Sequence, residues 1–455
     1  MADASNKQAL DTRMGTDPIP ALIARMSIPS MFSMLIQALY NIVDSMFVAR
    51  INETALSAVS LVFPLQMLNS AVAVGTAIGL ASLISRRLGA GLKREAQNAA
   101  NNGIFLAACS WLVFLVIGTA LIRPFANAFS ENPLLIEPSV TYGRIVMSMS
   151  LFIMVAVSGE RIMQACGNVK APMLCSLAGC IANIILDPIM IFGYFGLPAM
   201  GVAGAAYATV IGQFVSMAAV LICINVEHLP VKVSFKGFKP DPASIKGIYG
   251  VGLPAMVMQA ITSLTTLIMN AILIVFSETG VAVLGVYFKL QSFVFMPVFG
   301  LNQGTMPIMG YNYGARKRDR LLQAFKLAMF AAMTIMLIGT LVFQLIPDTL
   351  MGLFNAEGDM ITMGRAALRY ISLCFPFAAF GIICGSLFQA TGHGMYSLII
   401  SVMRQLVLIV PLAFIFSRIW GVDGVWMAYP AAEGAACLLS FLMLRMLHRT
   451  DLSKL

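Results

Sequence analysis

The chain has 455 residues, of which 59% are hydrophobic and only 11% charged, with a formal net charge of +9. A soluble domain carries about 25% charged residues, and a fold in water cannot hide this much apolar surface, so the solvent around the chain must be lipid. The Lys and Arg residues sit in short gaps between apolar runs, a topology signal rather than the single basic face that nucleic acid requires.

Taken in chain order, the apolar runs predict spans at 22–49, 54–80, 99–123, 140–162, 171–194, 201–224, 250–276, 281–308, 323–346, 366–388, 395–417 and 424–447. Each meets the requirement of about 20 residues for a transmembrane helix. The first twenty residues are polar and acidic and do not form a signal peptide, so the first run is expected to remain as a helix. Basic clusters at Arg86, Arg87, Lys93 and Arg94, at Lys232, Lys236, Lys239 and Lys246, and at Arg316, Lys317, Arg318 and Arg320 occupy one set of gaps. The alternate gaps hold Glu53, Glu131, Glu137, Glu278, Asp348, Glu357 and Asp359. Both termini are therefore expected on the cytoplasmic side of a bacterial inner membrane.

The two halves repeat. Pro29 matches Pro254, Gly75 matches Gly300, Gly79 matches Gly304 and Gln164-Ala165-x-Gly167 matches Gln389-Ala390-x-Gly392, all at an offset of 225. Later the offset slips to 220, where Gly201-Val202-x-Gly204 matches Gly421-Val422-x-Gly424. The expected fold is an all-α polytopic membrane protein, with twelve helices in two six-helix bundles related by a pseudo-two-fold along the membrane normal. The expected divisions are a cytoplasmic segment 1–20, an N-terminal lobe 21–225, a linker 226–249, a C-terminal lobe 250–447 and a cytoplasmic tail 448–455. Two like-oriented bundles with a cleft between them suit alternating access.

Carboxylates inside a bilayer are costly and are functional or paired by default. Three are read well inside spans: Asp44, Asp187 and Glu433. Asp44 and Asp187 share a half and a depth, about 10 Å below the outer boundary at 1.5 Å per residue. In one apolar pocket they would exchange a proton near neutral pH, or hold Na⁺ with nearby oxygens. Gln37, Asn41 and Asp44 recur at i, i+4, i+7 with Tyr40 adjoining, and Asn183 and Asp187 are i, i+4. The plainer alternative is that these groups only pin helices together. Pro29 and Pro254 are each expected to kink a helix, and Pro29 is a candidate hinge. Glu433 and Lys289 share a depth in the C-terminal half and are expected to form a buried ion pair, while Arg404 has no obvious partner.

The eight cysteines lie mostly in apolar runs without CxxC spacing, and no HExxH or GxxxxGK[ST] is present. No metal centre, cofactor, ATP site or enzyme activity is expected. A membrane-embedded enzyme would need a nucleophile–base or metal constellation, and none is visible.

The paired halves, Tyr40-Asn41-Ile42-Val43-Asp44, Asn183-Ile184-Ile185-Leu186-Asp187-Pro188 and the Gly-Ala-basic segments after the second and eighth spans resemble the MATE (multidrug and toxic compound extrusion) family. With its acids confined to the N-terminal half, the chain is similar to the DinF-like branch, and within it to the bacterial MepA-like exporters. The resemblance covers essentially the whole chain. It implies a V-shaped pair of bundles and antiport of amphipathic organic cations against H⁺ or Na⁺. It implies a cation-coupling site at Asp44, Asn183 and Asp187, with Gln37, Tyr40, Asn41, Tyr142 and Thr209 as cavity residues. It also implies a monomer that contacts only the lipid bilayer and its drug or dye substrates. A flippase for a lipid-linked precursor is the alternative, and it predicts a strongly basic central cleft.

Overall fold

The computed structural model describes residues 13–226, 229–354 and 356–455, with side chains for all of them except 41, 42, 44, 45, 49 and 53. Most of the described residues are helical, and none of them forms a strand. Ten helices are long and apolar enough to cross a bilayer, and two bent pairs raise the number to twelve. In order they are α1 (Ile19–Ala49), α2 (Glu53–Gly89), α3 (Lys93–Phe129), α4 (Pro133–Ser148 and Leu151–Ala165), α5 (Lys170–Phe192) and α6 (Val202–Val226). The second half repeats the set with α7 (Pro242–Ile274), α8 (Glu278–Gly314), α9 (Arg318–Leu345), α10 (Asp359–Ser372 and Phe375–Ala390), α11 (Gly394–Trp420) and α12 (Val422–Thr450).

The repeat governs local structure as well as helix number. Asn52 caps α2 by accepting from Ala55 N, and Ser277, 225 residues later, caps α8 by accepting from Gly280 N. Gly167 and Gly392, also 225 apart, follow α4 and α10 with φ of 85° and 91°. That left-handed backbone strains any residue with a Cβ. The bends within α4 and α10, 42° and 46°, fall at matching places. By contrast, α1 and α7 run without a break through Pro29 and Pro254. Pro29 therefore removes one hydrogen bond without interrupting its helix.

Each lobe has its own apolar core, and the two exchange members at their border. Leu22 and Met26 of α1 belong to the C-terminal cluster, and Ile248 of α7 belongs to the N-terminal one. Helix α1 packs on α8 and α5 far more than on α2, and α7 packs likewise on α2 and α11. Small residues make these crossings possible. Gly75 and Gly79 of α2 meet the backbone of α7 at Gly252 and Ile248. Gly300 and Gly304 of α8 meet α1, where a methyl group on Gly304 would stand 2.7 Å from Ser27 Cα. Nearer the basic loops, Gly89 abuts the Tyr311 backbone and Gly314 abuts Arg86. The lobes are thus sealed together in the half of the molecule that carries the basic loops.

A strap reinforces that seal. Met14 is buried, packs near Gly167 of the N-terminal lobe and lends its carbonyl to the other lobe. Asn312 Nδ2 donates to Met14 O at 3.1 Å and Arg320 Nη2 donates to it at 3.2 Å. Arg320 Nη2 also donates to Asp17 O at 2.7 Å, and Lys317 Nζ donates to Gly15 O at 2.8 Å. A hydrogen bond from a charged donor contributes roughly 1.5–3 kcal/mol. Arg320→Ala is accordingly expected to raise hydrogen–deuterium exchange across residues 13–18 by about tenfold or more. Unchanged exchange in that segment would mean that the strap is not held by Arg320.

Candidate functional site

Between the lobes lies a cavity of about 610 Å³. The repeat supplies facing walls: Gln37 and Thr262, Met34 and Gln259, and Gln164 and Gln389 all line it, each pair 225 residues apart. A cavity so rich in amide and hydroxyl groups, inside an otherwise apolar bundle, is built to bind a hydrated or polar guest.

Three of the expected cavity residues, Gln37, Tyr40 and Thr209, line it together with Asn183, expected at the cation-coupling site. The Thr209 hydroxyl donates to Ala205 O at 2.9 Å within its own helix, a bond open to competition from a guest. Asn183 is 2% exposed, and neither its amide nitrogen nor its oxygen has a hydrogen-bond partner among the described residues. It is held there because Gly179 of α5 and Gly212 of α6 let the two backbones touch. A methyl group on Gly212 would stand 2.9 Å from Asn183 Cβ. Asp187, one helical turn further along α5, is 0% exposed and lies behind the cavity wall rather than in it. The next residue, Pro188, has no N–H and leaves the Ile184 carbonyl without its helical donor. The side chains of Asn41 and Asp44 lie outside the described residues.

Two expectations need correction. Tyr142 does not line the cavity. It precedes the bend in α4, on a segment packed against α2, and its hydroxyl accepts from Gln66 Nε2 at 3.1 Å. The expected partnership of Lys289 with Glu433 is also absent. Glu433 Oε1 accepts instead from Arg404 Nη1 at 3.1 Å, with the two side chains 11% and 26% exposed. Lys289 Nζ sits 5.8 Å from the centroid of the Phe354 ring. Equal depth does not imply a shared helix face. Arg404 lies in a π-helical turn, Met403–Ile409, on α11, which packs directly on α12. Both Arg404 and Glu433 line the cavity.

A second charged pair is absent from the sequence expectations. Glu160 and Arg161, on the second segment of α4, both line the cavity. Glu160 Oε1 accepts from Ser216 Oγ at 3.5 Å, and Arg161 Nη1 donates to Gln164 Oε1 at 2.9 Å. The repeat carried a usable signal. The positions 225 later, Gly385 and Ser386, are uncharged, so Glu160-Arg161 breaks a match that resumes at Gln164 and Gln389.

A sequence model of the MatE family matches residues 29–189 and 254–415, two stretches that begin 225 residues apart. The multidrug export protein MepA of Staphylococcus aureus is 24% identical over 431 residues, covering 94% of each chain. An FAD transporter of Shewanella oneidensis is 25% identical over 432 residues, covering 92% of this chain and 94% of that one. Among solved structures, the outward-facing conformation of a multidrug resistance MATE family transporter of the MOP superfamily superposes with a TM-score of 0.88. That protein is 29% identical, and the match covers 95% of this chain and 96% of that one.

Proposed function

The chain belongs to the MatE family, and on that premise we propose that it is a secondary active multidrug exporter, exchanging amphipathic organic cations for H⁺ or Na⁺ through the N-lobe acids Asp44 and Asp187. The observation that carries this reading is the position of Asp187. A carboxylate with no exposure, in a helix that crosses the bilayer, is costly and marks a functional site by default. Asn183, one turn away in the cavity wall, with an amide that no described residue engages, links that carboxylate to the guest space.

The cycle follows from linkage. With the basic end taken as cytoplasmic, the sealed lobes correspond to an outward-open state, which the likeness to an outward-facing relative supports. An ion entering from outside neutralises Asp187 and Asp44 and repacks the α1–α5 contact. The cavity then holds its organic cation less tightly. Reciprocity requires the bound drug to weaken ion binding by the same factor. The protein acts as a monomer in the bacterial inner membrane, with both termini cytoplasmic.

Glu160 is the natural counter-charge for a cationic guest. Among the described residues no cation lies within 4.0 Å of it, whereas Glu433 is already matched by Arg404. Glu160→Gln is expected to weaken binding of a cationic dye roughly tenfold, the size of one charge-assisted contact. Dye titration of the purified protein measures this, and unaltered affinity would remove Glu160 from recognition. The flippase alternative calls for a strongly basic cavity, whereas the two arginines that line it, Arg161 and Arg404, are equalled in number by two acids, Glu160 and Glu433. The direct test of the proposal is ethidium efflux from vesicles under an imposed pH gradient or an imposed Na⁺ gradient. Efflux driven by either gradient supports antiport, and efflux driven by neither rejects it.

A further inference from the structure

At the basic end, on the outer surface of the C-terminal lobe, a groove of about 390 Å³ runs between α9 and α12. It shares no lining residue with the transport cavity. Leu322, Phe325 and Leu444 form an apolar wall. Further along the same helices Phe330, Leu442 and Met446 are exposed, as lipid-facing side chains are.

Into this apolar groove project Lys326, Arg445 and Arg449. Among the described residues none of the three is in an ion pair. The nearby acid Asp451 is engaged by His393 at 2.8 Å. Arg318, on the first turn of α9, adds a fourth cation. Its Nη2 donates to His448 Nε2 at 3.4 Å, and its buried Nε has no hydrogen-bond partner among the described residues.

Depth completes the pattern. Lys326 lies eight residues into α9, about 12 Å along its axis from Arg318 at 1.5 Å per residue. Arg445 and Arg449 lie in the last turns of α12. The cations therefore span the level of the phosphates and upper acyl chains of the leaflet they face. A soluble anion would satisfy the charges and leave the wall uncovered. A zwitterionic lipid would cover the wall and leave the charges unmatched. We propose that the groove between α9 and α12 is a binding site for the headgroup of an anionic phospholipid, whose phosphate is held by Lys326, Arg445 and Arg449 while an acyl chain lies on Phe325 and Leu444.

The test uses the purified full-length chain and native mass spectrometry. The protein is presented with equimolar phosphatidylglycerol and phosphatidylcholine, and retained lipid is counted. The wild type is expected to retain phosphatidylglycerol selectively. K326Q/R445Q/R449Q is expected to lose that retention by roughly a hundredfold, taking about a fivefold contribution from each cation. The charge-conserving K326R/R445K/R449K should bind like wild type, which separates lost recognition from lost folding. K232Q/K236Q/K239Q removes the same net charge from the linker and should leave binding unchanged. Three outcomes would overturn the site: phosphatidylglycerol retention by K326Q/R445Q/R449Q equal to wild type, equal loss in the linker variant, or displacement of the lipid by millimolar inorganic phosphate.

Discussion

Asp187→Asn is expected to abolish gradient-driven efflux while leaving the fold intact. The amide has the shape of the carboxylate but carries no exchangeable charge, so neither a proton nor Na⁺ gains anything by entering. Asp187 is fully buried in α5, where an ionised group is disfavoured. Asparagine keeps the size of the side chain and its capacity to hydrogen-bond, so the melting temperature should stay close to that of the wild type. Efflux in vesicles should fall to the passive leak, a loss on the order of a hundredfold or more, because without ion exchange nothing drives the return of the empty carrier. The measurement is ethidium efflux alongside a thermal melt of the same preparation. A variant that melts like wild type and still pumps at the wild-type rate would remove Asp187 from the coupling site.

Arg404→Gln acts through a different mechanism, on stability. It strips Glu433 of the only cation within 4.0 Å among the described residues, at a position 11% exposed in the cavity wall. Removing one member of a buried pair costs about 3–5 kcal/mol, because the remaining charge is left uncompensated. The lower end of that range applies here, since Arg404 is 26% exposed and the cavity admits some solvent. Glu433→Gln should also destabilise, by leaving the guanidinium unmatched in a π-helical turn. The R404Q/E433Q double variant should recover most of the loss, because a neutral pair carries no desolvation penalty. Thermal unfolding of the four proteins closes the cycle. Additive losses in the double variant would show that the 3.1 Å contact is not an energetic unit.

Helix number, span order and the two-fold repeat were legible in the chain because lipid leaves few alternatives. Every backbone polar group must be satisfied within a helix, and the length of an apolar run sets the span. The structure adds that the caps Asn52 and Ser277 obey the same offset of 225 and that the bends in α4 and α10 fall at matching places. Side-chain azimuth was harder to read. Depth along a helix follows from counting residues, but the face a side chain takes depends on how the bundle packs. Lys289 and Glu433 share a depth yet meet different neighbours, and Tyr142 turns toward Gln66 on α2. Glu160 and Arg161 were hidden for a related reason. A straight span at 140–162 leaves them at its end, near water. The helix instead begins at Pro133 and bends after Ser148, which carries its second segment along the cavity. Gln164 and Gln389 stand out in the sequence as a repeat, and both line the cavity.

Antiport by this protein depends on one exchange, of an inorganic cation at Asp187 for an organic cation in the cavity. Substrate-induced ion release from purified protein in detergent tests it most directly. Adding a saturating organic cation to the wild type, with a pH-sensitive dye and a parallel measurement of bound ²²Na⁺, should release H⁺ or Na⁺ in proportion to the protein present, and Asp187→Asn should release neither. Release from Asp187→Asn equal to that from wild type, at equal substrate binding, would contradict the coupling site proposed here.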